Sequence, residues 1–454
     1  MDGIPFVTTG SYPCRSGNRV RPLVDGEPAF RRICEAVESA SQSVWVTVTF
    51  LWDTFVMPDG RGSFFDVIDA AARRGIDVRV LFWRPDADRL ARHENTFWGS
   101  PEQIAFVEQR CSGVSIRWDR ARAGCAQHQK SWLVDAGRSG EIAFVGGINQ
   151  NPHSMVAPGH RGAGHNHDVY VELAGPSVVD VHHNFVQRWN EASERAQPDG
   201  VWGAGGQSQL PFPVCTGPAA GSATVQIQRT IGRGQYSDSA PSVGADVFDI
   251  GAGERSVFDQ YVTAIGAARS TIYVENQYLE APEIVAALSG ALERDVSVVM
   301  LLPGEPDDGA RTAANLPERA DFVRARAGLG DHENFTLAGL AGLDSDGKRN
   351  DVYVHAKVML IDDAWATIGS ANLHWYSMFG NGELNVSFHD PVEVRALRGA
   401  LLAEHLEEDT THLDDRAALA RFREIAFANR RRRDTGESTW RGNAFALDAR
   451  TYAR

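Results

Sequence analysis

One pattern written twice constrains this chain more than anything else in it. His128-Gln129-Lys130-Ser131-Trp132-Leu133-Val134-Asp135 and His355-Ala356-Lys357-Val358-Met359-Leu360-Ile361-Asp362 each read His-x-Lys, four intervening residues, then Asp. Only three lysines occur among the 45 basic residues, and two of them, Lys130 and Lys357, sit inside these motifs. A Lys kept in so Arg-rich a chain marks a place that needs a compact ammonium rather than a planar fork. Internal repetition also decides architecture, because it separates one unit built twice from two unrelated domains.

The repetition extends well beyond the motifs. Val44-Trp45-Val46 and Ile272-Tyr273-Val274 each open with a β-rich run, and Asp77-Val78-Arg79-Val80-Leu81 matches Asp295-Val296-Ser297-Val298-Val299 as a second strand. After each motif comes an apolar strand and a small-residue turn, Val145-Gly146-Gly147-Ile148-Asn149 and Ile368-Gly369-Ser370-Ala371-Asn372. An acid then heads a further strand, Asp168 before Val169–Leu173 and Glu383 before Leu384–Phe388, and a helix closes each half, around 176–191 and 391–406. The alternation predicts an α/β protein of two similar α/β/α sandwich halves. Their mixed or parallel sheets are flanked by helices, and the halves are expected to pack about a pseudo-twofold axis with the site at their interface. The expected boundaries are 1–200 for the first half, 201–245 for a linker and loops, and 246–454 for the second. Within the Gly-, Pro- and Ser-rich connection, Thr224–Thr230 reads as the first strand of the second half. The stretch from about 304 to 350, with a helical 316–327 segment, has no evident repeat partner and reads as a lid.

Composition narrows the partners. A 454-residue chain with 43% hydrophobic content can bury a core larger than one domain usually holds. No apolar run approaches the roughly 18 residues a membrane-crossing helix needs, and the first residues do not form an export signal. The expectation is a cytoplasmic protein with peripheral membrane contact, secretion remaining open if a leader was removed. Five cysteines without a Cys-x-x-Cys pair argue for a reducing compartment and against a zinc ribbon. A net charge of −14 opposes an extended nucleic-acid footprint, which draws its affinity from phosphate neutralisation. The one basic run, Arg430–Arg433, reads as a solvated helix end, with docking on anionic head groups as the functional alternative. Oligomeric state is not legible.

The motif residues suit phosphodiester chemistry. Attack on phosphorus needs a nucleophile, a proton for the departing oxygen, and positive charge on the equatorial oxygens. One neutral imidazole can attack, forming a phosphohistidine, while the other, protonated, acts as the acid. On an extended segment His and Lys two residues apart share a face, so both pairs can converge on one phosphate. Asn149 and Asn372 can add amide donors after turns that Gly146, Gly147 and Gly369 keep open. Asp168 and Glu383 are the candidates to hold the far ring nitrogen of each His, as the acid does in hydrolase triads. Asp135 and Asp362 lie an odd number of residues from the His and are expected to tie the strand to its neighbours.

Together these residues resemble the phospholipase D superfamily, whose signature is the duplicated His-x-Lys-x4-Asp followed by Gly-Gly/Ser-x-Asn. The resemblance covers nearly the whole chain, and Ile272–Tyr278 and His167–Val171 bring it closer to the phospholipase D enzymes than to the small nucleases. It implies a metal-independent, two-step mechanism with no cofactor, in which His128 is the nucleophile and His355 the general acid. It also implies a phospholipid substrate. The expected activity is hydrolysis of the distal phosphodiester to phosphatidic acid and a head-group alcohol, with possible transphosphatidylation. A cardiolipin-type synthase and a phosphodiesterase or endonuclease of the same superfamily are the alternatives. Relatives carry Arg-Ser after the second Asn region, where this chain has Tyr376-Ser377, so head-group preference is open. Trp52, Phe97, Trp98 and Trp375 are candidates for an acyl or interfacial surface. A metal hydrolase built on His160, His165, His167, His182 and His183 is a minor alternative, resting on His165-x-His167 as a chelating pair.

Overall fold

A computed structural model of the chain describes residues 4–85, 97–192, 209–307, 311–312 and 316–452. Residues 201–208 of the expected linker, and 308–310 and 313–315 of the expected lid, lie outside the described residues.

Each half is a mixed sheet with the same strand order. In the first, Arg15–Val24, Val169–Ala174, Ile142–Gly146, Ser131–Val134 and Ser43–Val48 run antiparallel in turn, and Asp77–Trp83 and Val114–Asp119 continue the sheet in parallel. In the second, Ala223–Ile231, Glu383–His389, Trp365–Gly369, Val358–Ile361 and Thr271–Glu275 repeat the antiparallel run, and Ser297–Leu301 and Phe335–Leu343 repeat the parallel one. The first strands of the two sheets pair antiparallel at Arg15↔Val225 and Asn18↔Ala223, so the sheets join at their edges.

Local sequence explains these elements. Ser43–Val48 reads SVWVTV and is buried at every position, as expected of a strand covered on both faces. Helix Phe64–Arg73 starts at a reciprocal capping box between Ser63 and Asp66, and helix Pro101–Arg110 at one between Ser100 and Gln103 with Pro at its first position. Helix Pro391–Leu406 begins with Asp390 accepting from two backbone N–H groups.

Three large apolar clusters organise the layers. One lies under helices Gly26–Ser39, Phe64–Arg73 and Pro101–Arg110 on the outer face of the first sheet, and another under Ser256–Ala267 and Pro282–Glu293 on the second. The third is shared: Leu133, Val145, Val169 and Val171 of the first sheet meet Val358, Ile368, Leu384 and Val386 of the second, with helices Val178–Glu191 and Asp415–Asp434 covering the remainder. Each such side chain, fully buried, contributes about 1.5–3 kcal/mol to holding the halves together.

Two elements differ from expectation or were not foreseen, and a third, the strand expected over 224–230, is present. The 304–350 stretch is not simply an insertion: Phe335–Leu343 is the third parallel strand and the counterpart of Val114–Asp119. Its Thr-Leu-Ala-Gly-Leu-Ala-Gly-Leu sequence has two glycines and no Val or Ile, which hides its strand character. Ala223–Ile231 lies inside the 201–245 stretch and pairs along its length with Glu383–His389. Arg15–Val24 had no sequence-level signal. No described helix is long and apolar enough to cross a membrane.

Candidate active site

The two motifs meet where the halves exchange backbone contacts. His128 N–H donates to Gly382 O (2.8 Å) from the second half, and His355 N–H donates to His167 O (2.8 Å) from the first. His-x-Lys was expected within a strand; both copies instead lie in the extended segments just before Ser131–Val134 and Val358–Ile361. Alternation still separates the side chains. Gln129 turns away to bond Asn184 (2.8 Å) of the buried helix Val178–Glu191 and the Glu383 carbonyl (3.1 Å).

The orienting acids cross between halves. His128 Nδ1 donates to Glu383 Oε2 (3.1 Å) and Ser370 O (3.0 Å), while His355 Nδ1 donates to Asp168 Oδ2 (2.6 Å). Each histidine of one half is thus held by a carboxylate of the other, with Nε2 left as the reactive nitrogen. All four side chains are buried, as are Lys130 and Lys357. The ammonium of each lysine bonds its own motif's His carbonyl, Lys130 to His128 O (2.7 Å) and Lys357 to His355 O. Thr49 adds a contact to Lys130 (3.4 Å). Asn149 and Asn372 take equivalent buried places, and the side-chain oxygen of each has no hydrogen-bond partner.

The two carboxylates have unequal surroundings. Glu383 accepts from Ser370 Oγ (2.5 Å), Ser377 Oγ (2.7 Å) and Asn381 Nδ2 (3.2 Å) besides His128. Burial by itself would raise its pKa, but His128, Lys130 and the Ser370 hydroxyl outweigh this and hold it below the usual carboxylate value. Asp168 accepts from His355 and the Val169 N–H (2.8 Å), and burial pushes it up to about 7. The repeat explains part of the difference: Ser370 stands where the first half has Gly147. A Cβ at Gly147 would fall 2.3 Å from Asp168 Oδ1 and 2.9 Å from Lys357 Cδ, so that position must lack a side chain.

Burial also disfavours charge on the bases. It lowers His128, and lowers His355 well below the ordinary imidazole value, with Lys357, Lys130 and His128 adding repulsion to the latter. It brings Lys130 down to about 7 and Lys357 to about 8. A site of this kind gains an anion and protons together.

Asp135 and Asp362 stand outside this group. Each sits in the left-handed backbone region (φ 56° and 52°) just past its strand. Asp135 accepts from the N–H groups of Ser41, Gln42 and Ser43, and Asp362 from those of Arg269, Ser270 and Thr271. They clamp the turn that leads into the neighbouring strand.

Other expected residues scatter. Phe97 is core, against Phe65 and Phe82, whereas Trp375 is 50% and Tyr376 42% exposed on the short helix Trp375–Phe379. The five-histidine metal set divides: His183 bonds Tyr12 and the Ala240 carbonyl, and His182 packs on Trp45, both on helix Val178–Glu191. Arg433 pairs with Asp351 and lies over Phe445, at the end of helix Asp415–Asp434. The residues that sequence reasoning missed are Ser370, Ser377 and Asn381 around Glu383, and Gln129 with Asn184 behind the first motif. Ser370, inside the duplicated turn, and Ser377, in the Tyr376-Ser377 pair, carried a signal.

With this geometry in view, comparison with known proteins defines the class. A family model described as cardiolipin synthase, PLD-like domain, matches residues 33–189 and 261–403, and one described as phospholipase D matches 157–281. The chain belongs to the phospholipase D superfamily and is an enzyme of that superfamily. Its curated relatives include cardiolipin synthase B of Escherichia coli, 26% identical over 88% of this chain and 85% of that one. Cardiolipin synthase A of Pseudomonas entomophila is 26% identical over 85% and 69%, and cardiolipin synthase 1 of Staphylococcus epidermidis 22% over 84% and 67%. Among solved structures, phosphatidylserine synthase of Haemophilus influenzae superposes with a TM-score of 0.56 at 13% identity, covering 87% of this chain and 89% of that one, a likeness of fold. These relatives overturn the expectation of a phospholipid-degrading hydrolase: the enzymes this chain resembles along most of its length are named as synthases. Hydrolysis and synthesis differ in the acceptor alone, which is why the motifs could not separate them.

Proposed function

We propose that this enzyme is a phospholipid synthase of the cardiolipin type, moving a phosphatidyl group from one phospholipid to the hydroxyl of another. The observation that carries this is the run of cardiolipin synthase relatives spanning 84–88% of the chain. The crossed dyads supply the chemistry.

In the first step His128 Nε2 attacks phosphorus, the bond to the leaving alcohol breaks, and His355 gives its Nε2 proton to that oxygen. Lys130 and Lys357, recharged by the incoming anion, hold the equatorial oxygens with the amides of Asn149 and Asn372. In the second step the departed alcohol is replaced by the free hydroxyl of a phosphatidylglycerol head group. His355 Nε2 takes its proton, its oxygen forms the new bond to phosphorus, and the bond to His128 breaks. Glu383, held ionised by three side-chain donors, fixes the His128 tautomer throughout. Trp375 and Tyr376, exposed at the helix after Asn372, suit contact with a lipid surface, since no described helix crosses one.

The test supplies phosphatidylglycerol vesicles and follows cardiolipin, phosphatidic acid and free glycerol. Cardiolipin with one glycerol released per molecule supports the reading. Phosphatidic acid as the main product, or no lipid turnover while DNA is cut, overturns it.

A further inference from the structure

A second constellation of ligating side chains lies beside the phosphate site and takes no part in the chemistry above. Asp25, before helix Gly26–Ser39, His160, from the loop after Ser154, and His167, of the short strand Asn166–His167, come from the first half. Glu404, on helix Pro391–Leu406, comes from the second. Asp25, His160 and His167 have no solvent exposure, and the Glu404 side chain has 5%. His165, expected to chelate with His167, is not part of the group; His160 takes that place.

The spacing is that of a coordination polyhedron. His160 Nε2 lies 2.9 Å from Glu404 Oε1, 3.3 Å from Asp25 Oδ2 and 3.2 Å from His167 Nδ1. His167 Nδ1 lies 3.0 Å from Asp25 Oδ1 and 3.7 Å from Glu404 Oε1. Ligands bound at 2.0–2.1 Å in a tetrahedron sit about 3.3 Å apart, and these contacts bracket that value. All the ligand atoms lie within 4.8 Å of one another.

Two further observations point to a cation at the centre. Asp25 Oδ2 is a fully buried carboxylate oxygen that has no well-formed hydrogen bond among the described residues, its neighbour being His160 Nε2 at 3.3 Å, and an ion facing it would satisfy it. Two ring nitrogens from separate segments face each other at 3.2 Å, where both lone pairs can serve one ion. The surrounding groups suit the same reading: His167 Nε2 donates to Glu275 Oε2 (3.0 Å), and Glu275 Oε1 accepts from Tyr273 (2.6 Å) and His405 (2.9 Å). That outer carboxylate fixes the tautomer with Nδ1 free to ligate. His160 itself sits in left-handed backbone (φ 49°), a conformation a non-glycine residue keeps only where its surroundings hold it.

We propose that Asp25, His160, His167 and Glu404 bind a divalent transition-metal ion, zinc foremost, in a closed tetrahedral site that fastens the two halves together. Four protein ligands leave no open position, so the ion is structural and separate from phosphoryl transfer. It anchors the backbone on which the dyad depends: the His167 carbonyl receives the N–H groups of His355 and Ala356, and Asp168 is the next residue.

The test measures metal by mass spectrometry in protein purified without chelator, and again after EDTA treatment, one equivalent of Zn²⁺ and desalting. About one ion per chain is expected, with a rise in Tm on zinc addition and, with Co²⁺, the intense visible absorption of four-coordinate cobalt. His160→Gln and Glu404→Gln should each fall below about a tenth of an ion, while the double variant His128→Asn/His355→Asn keeps the full complement. Wild-type protein that holds no zinc after desalting overturns the proposal without reference to any variant. So does metal kept by both ligand variants, or metal lost only from the His128/His355 variant, which would place it in the phosphate site.

Discussion

The two halves share a strand order and a motif, yet the two dyads they build are not alike. Glu383 is surrounded by Ser370, Ser377 and Asn381 and stays ionised, while Asp168 has the Val169 N–H and His355 alone for hydrogen bonds and rises to about 7. A duplicated scaffold can therefore hold one imidazole as a nucleophile, with its partner charge fixed, and the other as a proton carrier in a softer setting. The proposed division of labour would then come from the residues around the carboxylates rather than from the motifs.

The largest expected effects test that division directly. His128→Ala and His355→Ala should each lower turnover by roughly 10⁴-fold or more. With a radiolabelled phosphodiester, His355→Ala should accumulate acid-labile label on the protein and His128→Ala should not. Label on the variant lacking His128 would reverse the roles.

Next come the acids, Glu383→Gln and Asp168→Asn, each expected to cost about 10²–10⁴-fold in kcat, as tautomer-fixing acids do elsewhere. Their signatures should differ. Replacing the alcohol by p-nitrophenol, which leaves without a proton, should recover most of the Asp168→Asn loss and little of the Glu383→Gln loss. Equal recovery would mean that the dyads are interchangeable.

A pH titration of binding sharpens the same picture. Lys130 and Lys357 are charged below about 7 and 8 and neutral above, and an anion favours their charged forms. Affinity for a short-chain phosphodiester, itself a constant monoanion, should fall as pH rises through 7 and 8, approaching tenfold per unit for each ammonium lost. Calorimetry in buffers of different ionisation enthalpy should show proton uptake on binding near pH 8. A flat profile from pH 6 to 9 would remove the lysines from the phosphate.

Ser370→Gly makes the second half resemble the first. Loss of one hydrogen bond to an ionised carboxylate, about 1.5–3 kcal/mol, should lower kcat by about ten- to a hundredfold. The smallest effect on turnover belongs to the motif acids: Asp135→Ala and Asp362→Ala should leave the rate per folded molecule unchanged and lower Tm by similar amounts, since each clamps three N–H groups in matching turns. A rate loss in only one of them would break the symmetry where it is expected to hold.

Much of this was legible in the sequence because repetition exposes itself. The motif, the strand runs around it and the turns before Asn149 and Asn372 recur with the same order, and short β-branched and aromatic apolar runs mark their strands. Phe335–Leu343 escaped because glycine and alanine replace β-branched residues. The crossing of the dyads escaped for a different reason: His128 and Glu383 are 255 residues apart and His355 and Asp168 187, while each His has an acid far nearer in its own half. Spacing favours the wrong partner, and only packing of the sheets reveals the right one. Of the Asp25, His160, His167 and Glu404 group, the two histidines stood among the five the sequence offered as metal ligands, while the carboxylates were hidden likewise, drawn from distant segments with no regular interval. Hydrolysis and synthesis share one intermediate, so the acceptor was not readable from residues that touch phosphorus.

Because the dyads cross, a nascent chain that has folded its first half carries an imidazole with no fixed tautomer and no proton-transfer partner. The acceptor of its Nδ1–H arrives only with the strand Glu383–His389 of the second half. Neither half alone contains a complete His–carboxylate pair, so the two dyads exist only in the docked whole.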